Sequence, residues 1–336
     1  MCYKDKKWDS YGRIAKLRKE MVMKTQELTS SRGQSKWVTS LIRNKYMYLL
    51  LLPALIFVVI FNYLPLAGII IAFKDYDVLK GFMASEWVGF KHFKSIFELP
   101  NFLSSIKNTL VYSAICLFGQ FPFPILLAIM INEVRASWFK RSIQTISYLP
   151  HFLSWVSVIG FAYSIFSLSG SWNDLMRWIY GEGYVAKNML FESKNFAGVL
   201  FFSGLWKDIG WSSIIYLASI CGVDQSLYEA AAIDGAGRLK RIWYITLPAI
   251  KTTAVLILIM NIGNLVKNNF EQVYGFQNVY IQNDTDVIGT LSYREGIQGG
   301  EYSLATALGL AQGIVSFALV IVANAISKKL MDVGIW

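Results

Sequence analysis

Six long apolar runs, separated by polar and basic stretches, organise the chain. They fall near residues 46–73, 108–131, 143–166, 196–221, 250–266 and 304–326. Each is long enough for one helical crossing of a bilayer core, which needs about 20 mostly apolar residues. Backbone groups in lipid must find their hydrogen bonds within the segment, so helices are the expected form. The pattern predicts an all-α integral membrane protein with about six transmembrane helices. Pro53, Pro65, Pro122 and Pro124 lie inside these runs and predict kinks.

Composition agrees with this reading. Of 336 residues, 54% are hydrophobic and only 16% charged, against about 25% charged in soluble domains. The charges also cluster. Residues 1–45 form a polar, basic tail, which predicts no cleavable signal peptide. Arg135, Lys140 and Arg141, then Arg238, Lys240, Arg241 and Lys251, then Lys328 and Lys329 fall on the same side of an alternating topology as that tail. The opposite side has fewer Lys and Arg in longer loops, so both termini are expected in the cytoplasm. This divides the chain into a tail at 1–45, a membrane domain at 46–327 and a short cytoplasmic end at 328–336. The net charge of +10 then reflects mainly the tail, beside anionic lipid headgroups. No nucleic-acid motif accompanies it, and no nucleic-acid partner is expected.

Several chemistries are unsupported. Cys2, Cys116 and Cys221 fit no zinc or redox spacing, and no disulfide framework is expected. His92 and His151 are the only histidines, too few for a metal site or a triad; His151, after Pro150, reads as structural. There is no Gly-x4-Gly-Lys-Ser/Thr phosphate loop, His-Glu-x2-His or Gly-x-Ser-x-Gly motif, so neither ATP hydrolysis nor other catalysis is expected on this chain, and no cofactor or metal.

One segment on the expected inner side, residues 224–249, carries a motif. Glu229, Ala230, Ala231, Ala232, Ile233, Asp234 and Gly235 are followed after nine residues by Ile245, Thr246, Leu247 and Pro248. The alanines and Glu229 favour a short helix, which Asp224 or Ser226 can cap. Gly235 and Gly237 permit a sharp turn. A second helix is expected from Arg238 towards Pro248, where the chain returns to the membrane.

This spacing resembles the Glu-Ala-Ala loop of the membrane subunits of bacterial ABC importers, with every fixed position present. Residues 48–74, 87–97 and 148–156 (YLPHFLSWV), with 269–277 (NFEQVYGFQ), 302–309 and 334–336, resemble the carbohydrate-importer branch, most nearly permeases for complex oligosaccharides in Gram-positive bacteria. The resemblance implies a type I permease fold in the cell membrane, whose loop is a coupling helix docking on an ATPase. It implies roles in that coupling for Glu229, Ala230, Ala231, Asp234, Gly235, Leu247 and Pro248. It also implies a second homologous permease subunit, two ATPase subunits that bind the ATP and Mg, an extracytoplasmic substrate-binding protein and an oligosaccharide substrate.

A sugar path needs aromatic faces and hydrogen-bonding side chains kept away from lipid. Asn261, Asn264, Asn268 and Gln272 are spaced to share one helical face. That stripe serves either a wet path or bonds between helices. Trp155, Tyr163, Trp211 and Tyr216 offer stacking faces or interfacial anchors. Lys207 and Asp208 either pair with each other or sit in a vestibule. Two other readings stay open. An ion-coupled secondary transporter requires acidic or histidine relays inside the spans, which are nearly free of them. A membrane scaffold that recruits an ATPase without transport does not need the polar stripe.

Overall fold

The computed structural model describes residues 44–335 apart from 182, 265, 267 and 268. The basic tail lies outside the described residues, but for its last two. The chain divides into two compact units at Gly68. The described part of the first is helix α1 (Lys45–Val58), which runs into a widened, π-type turn at Val59–Tyr63. No residue of α1 is buried. A side-chain surface this apolar and this open suits lipid.

The second unit starts inside the 3-10 stretch Leu64–Phe73 and contains a two-stranded antiparallel ribbon, β1 (Lys74–Asp75) with β2 (Glu86–Trp87). Its helices of seven or more described residues are α2 (Phe102–Ala114), α3 (Pro122–Glu133), α4 (Ser137–Tyr148), α5 (Trp155–Phe166), α6 (Ser171–Tyr180), α7 (Phe196–Cys221), α8 (Gln225–Ile233), α9 (Leu247–Gly263), α10 (Phe270–Phe276) and α11 (Tyr302–Met331). At 26 residues α7 is about 39 Å long and crosses the middle of the unit. One core cluster, with Tyr112, Trp155, Phe196, Leu200 and Phe276, joins α2, α5, α7 and α10. Another, with Ala128, Ile131, Tyr216, Ile220 and Ile250, joins α3, α7 and α9. A third, with Ala72, Leu291, Leu304 and Leu308, seats the first turns of α11.

Among the described residues, four helical stretches are long and apolar enough to cross a membrane: Lys45–Phe73, Phe102–Glu133, Arg238–Gly263 and Tyr302–Met331. They contain three of the six expected runs and all but the last residues of a fourth, 250–266, which outlasts its helix at Gly263. The run at 143–166 differs from expectation. It is a corner: Ser137–Phe152 and Trp155–Tyr180 meet at 100°, and only if that bent pair is one span does the count reach five. Pro150 lacks an amide donor, and Ser154 then opens a new helix by accepting the amide of Ser157 at 3.2 Å. The run at 196–221 is helical throughout, as α7, but Lys207 and Asp208 interrupt its apolar character.

Prolines shape the spans in an unexpected way. The π-type turns at Val59–Tyr63, Ile115–Gly119 and Ile242–Thr246 each lie just ahead of a proline: Pro65, Pro122 and Pro248. A proline ring collides with the carbonyl four residues back. Those carbonyls belong to Phe61, Phe118 and Tyr244, all within the widened turns. Widening the turn moves the carbonyl aside and lets the helix continue. The Arg238 helix therefore runs through Pro248 to Gly263 rather than ending there.

Candidate functional site

Two regions carry the residues singled out above. The first is the Glu-Ala-Ala segment. Asp224 caps α8, accepting the Ser226 amide at 2.9 Å, and that bond holds its carboxyl below the usual carboxylate range. The helix ends in paired reverse bonds: Ala236 donates to the Ala231 carbonyl at 2.8 Å and Gly235 to that of Ala232 at 3.1 Å. This is a Schellman ending, whose left-handed residue is Gly235 at φ +75°. The fixed glycine of the motif thus has a backbone reason. Gly237, at φ −67°, does not use glycine's freedom, contrary to expectation. The helix that follows starts at Arg238 as expected.

None of α8 is buried. Glu229, Ala230, Asp234 and Gly235 are exposed and Ala231 half-buried, with Leu227, Ile233 and Leu239 exposed beside them. Farther along, Leu247 is half-buried and Pro248 exposed. The segment is tied back by Tyr228, whose hydroxyl lies 2.9 Å from that of Thr246. The alanine helix is therefore a held, uncovered ledge.

The second region is a cavity of ≈ 710 Å³ beside α7. Asn261, Asn264, Gln272, Trp155 and Tyr216 line it; Tyr163 does not, and packs on the core between α5 and α7. Asn268 lies outside the described residues. The asparagine stripe is not one helical face. Helix α9 ends at Gly263 with Asn264 as its cap, and Asn269 starts α10 by accepting the Gln272 amide at 3.3 Å. Asparagine side chains compete for nearby backbone groups and favour helix ends over interiors. The break still leaves Asn261 and Asn264 on the cavity wall, and no hydrogen bond joins their side-chain amides to another described residue.

Gln272 has a different duty. It is 6% exposed, and its amide nitrogen donates to the Leu200 carbonyl at 2.8 Å and to Ser203 Oγ at 2.9 Å. Gln120 does likewise, donating to the Phe201 carbonyl at 2.8 Å. Both amides close on α7 at Gly204, where a β-carbon would meet Gln120 at 2.8 Å. Here the stripe serves bonds between helices. Cys116, Asp208, Trp211 and Asn269 also line the cavity. Asn269 had not been singled out, although Asn followed three residues later by Gln is a legible start signal for a helix. Lys207 and Asp208 do not pair with each other; both engage His151.

Residues 120–331 match the family described as "Binding-protein-dependent transport system inner membrane component". The chain belongs to that family. This permease is 42% identical over 310 residues to LplB of Bacillus subtilis (strain 168), covering 92% of this chain and 96% of LplB. It is also 42% identical over 304 residues to the polygalacturonan/rhamnogalacturonan transport system permease protein YteP of the same organism, covering 90% and 94%. Among solved structures, it matches a chain of a bacterial ABC transporter involved in the import of the acidic polysaccharide alginate. That match has 37% identity and a TM-score of 0.80, over 88% of this chain and 99% of the other. A structure of the bacterial alginate ABC transporter in complex with alginate pentasaccharide-bound periplasmic protein matches equally, at 0.80 and 37%, over 90% and 100%. The permease thus has the ABC importer type I fold and is a multi-pass protein of the cell membrane. It is a transport subunit, not an enzyme.

Proposed function

We propose that this permease imports an oligosaccharide by alternating access, driven by ATP hydrolysis on separate ATPase subunits that bind the ATP and Mg. Segment 224–249 is its coupling loop, with α8 seated in a groove of an ATPase subunit. A second, homologous permease completes the pathway, two ATPase subunits bind the pair, and an extracytoplasmic binding protein delivers the solute. Residues 1–45 and 328–336 lie in the cytoplasm, and the basic residues flanking the spans support that side. The name of YteP supports a saccharide, and Bacillus subtilis as the source of both relatives supports a Gram-positive host.

The observation that carries this reading is the ledge. A nine-residue alanine helix, capped at both ends, leaves Glu229, Ala230, Leu227 and Ile233 uncovered. Small alanines let a helix approach closely, and exposed apolar side chains at both its ends supply contact with a partner. Glu229→Ala or Gly235→Val, in complex reconstituted with its ATPase subunits, is expected to reduce oligosaccharide-stimulated ATP hydrolysis. Gly235 is left-handed, where a β-carbon costs roughly 1–2 kcal/mol, enough for a loss on the order of tenfold. Oligosaccharides from pectin and alginate serve as probes. Stimulation at the parental level in both variants counts against docking here.

The cavity is assigned to solute. Its uncommitted amides suit sugar hydroxyls, and Trp155 and Trp211 suit the apolar ring faces. Asn261→Leu and Asn264→Leu are each expected to raise the half-saturating oligosaccharide concentration by roughly 2–10-fold, the worth of one hydrogen bond. ATPase subunits should copurify unchanged. Uptake curves identical to the parent's would move the site elsewhere.

A further inference from the structure

The corner between α4 and α5 is held by charge. Lys207, 6% exposed, sends its Nζ to the His151 carbonyl at 2.6 Å and lies 5.5 Å over the Trp155 ring. The next residue, Asp208, grips the side chain of the same histidine, with Oδ1 2.8 Å from Nδ1. That imidazole lies flat on Trp211, with ring centres 4.5 Å apart and planes within 2°. One corner residue is thus held at backbone, side chain and ring face by three residues within about one turn of α7.

Charged groups among membrane helices are expensive, and where they persist they mark function more often than simple attachment. Attachment alone is achieved nearby with neutral groups, by Gln120 and Gln272, which bond to carbonyls of the same helix. The geometry also gives the charged grip a direction. Helix α7 is unbroken from Phe196 to Cys221, and only Gly222 and Val223 separate it from the α8 cap, Asp224. A displacement of α8 therefore travels along one helix to Lys207 and Asp208. There it meets the corner that carries Trp155 into the cavity.

We infer that Lys207, Asp208 and His151 are positioning residues, a latch that delivers movement of the coupling segment to the wall of the solute cavity. The inference rests on α8 being the ATPase dock. It assigns these side chains to coupling and leaves solute affinity to the asparagines.

A native thiol can report the wall's movement. Cys116 lines the cavity, and Cys2 and Cys221 can be replaced by serine. In the complete complex, the rate at which a small methanethiosulfonate labels Cys116 is compared without nucleotide and after trapping with ATP and vanadate. The parent is expected to show different rates in the two states. His151→Phe keeps a flat ring on Trp211 but removes the bond to Asp208, and Lys207→Met keeps the length but removes the charge. Both are expected to retain their ATPase subunits and to trap nucleotide, while the Cys116 response shrinks by about tenfold. His151→Asn, whose amide can reproduce the Nδ1 bond, should restore it. A full response in both His151→Phe and Lys207→Met overturns the latch alone. Loss of assembly in all three variants makes the residues merely structural and also overturns it. A parent whose Cys116 rate ignores nucleotide overturns the docking reading together with the latch.

Discussion

Gly210→Ala is expected to abolish most of the folded yield of this permease, whereas Gly198→Ala, about three turns away in the same helix, is expected to be silent. A β-carbon at Gly210 would land on the backbone carbonyl of Ser147. Nothing lies within 4 Å of the same atom built at Gly198. Where the obstacle is the tip of a flexible side chain, a rotamer change can absorb it. At Gly210 the obstacle is main chain, one residue before the corner at 148–154. Moving it would pull His151 off Lys207 and Asp208 together, so the usual overpacking cost of about 1–3 kcal/mol is a lower bound here. Small residues that let helix backbones touch are a principal means of association in lipid. The measurement is the monodisperse fraction in mild detergent, with Gly198→Ala as the control for glycine removal itself. Equal yields for the two variants would show that α4 and α7 do not approach as closely as described.

How much of this could be read from the chain follows a physical line. What depends on local chemistry was legible: a short helix over 227–233, which starts two residues earlier, Asp224 as one of two candidate caps, its glycine stop, and the extent of α7. The Glu-Ala-Ala motif is legible because its fixed residues answer to backbone needs, Gly235 most clearly. What depends on a choice between satisfied alternatives was not. An apolar run gives no sign of whether it continues through Pro150 or turns there, since lipid and a neighbouring helix solvate it equally well. The stripe from Asn261 to Gln272 has helical spacing, yet its asparagines are also the residues that end helices, and they ended this one. Three of the four still reach one cavity, because α10 doubles back against α7. Tyr163, one of the aromatics that offer stacking faces or anchors, lies in a core instead. Partners distant in sequence were out of reach: Lys207 and Asp208 sit side by side, and nothing in their spacing points 56 residues back to His151.

Arg294→Met is expected to lower the thermal stability of the purified permease sharply, and the reason is a single buried carboxylate. Asp286 is fully enclosed, at 0% exposure. Arg294 engages it with both terminal nitrogens, one to each oxygen, and Thr290 donates a further bond at 2.8 Å. Its bond to that carboxylate holds the guanidinium above even its ordinary range. Its surroundings are structural: Asn108 of α2 donates to the Asp286 carbonyl at 3.0 Å, and Thr109 accepts the Ile288 amide at 3.0 Å. The cluster thus joins α2 to the turn leading into α11. Removing one partner from such a pair strands a charge without water, which costs about 3–5 kcal/mol. Over a chain of this size that corresponds to a fall in Tm of roughly 4–7 °C. Removing both charges is a different experiment. In Arg294→Met with Asp286→Asn, the amide retains the Thr290 bond and no charge is left without a partner, so about half or more of the lost stability should return. If the single and double variants melt together, the stranded charge is not the cause, and the loss of Arg294 would have to act through its second ion pair, to Glu295 at 3.5 Å.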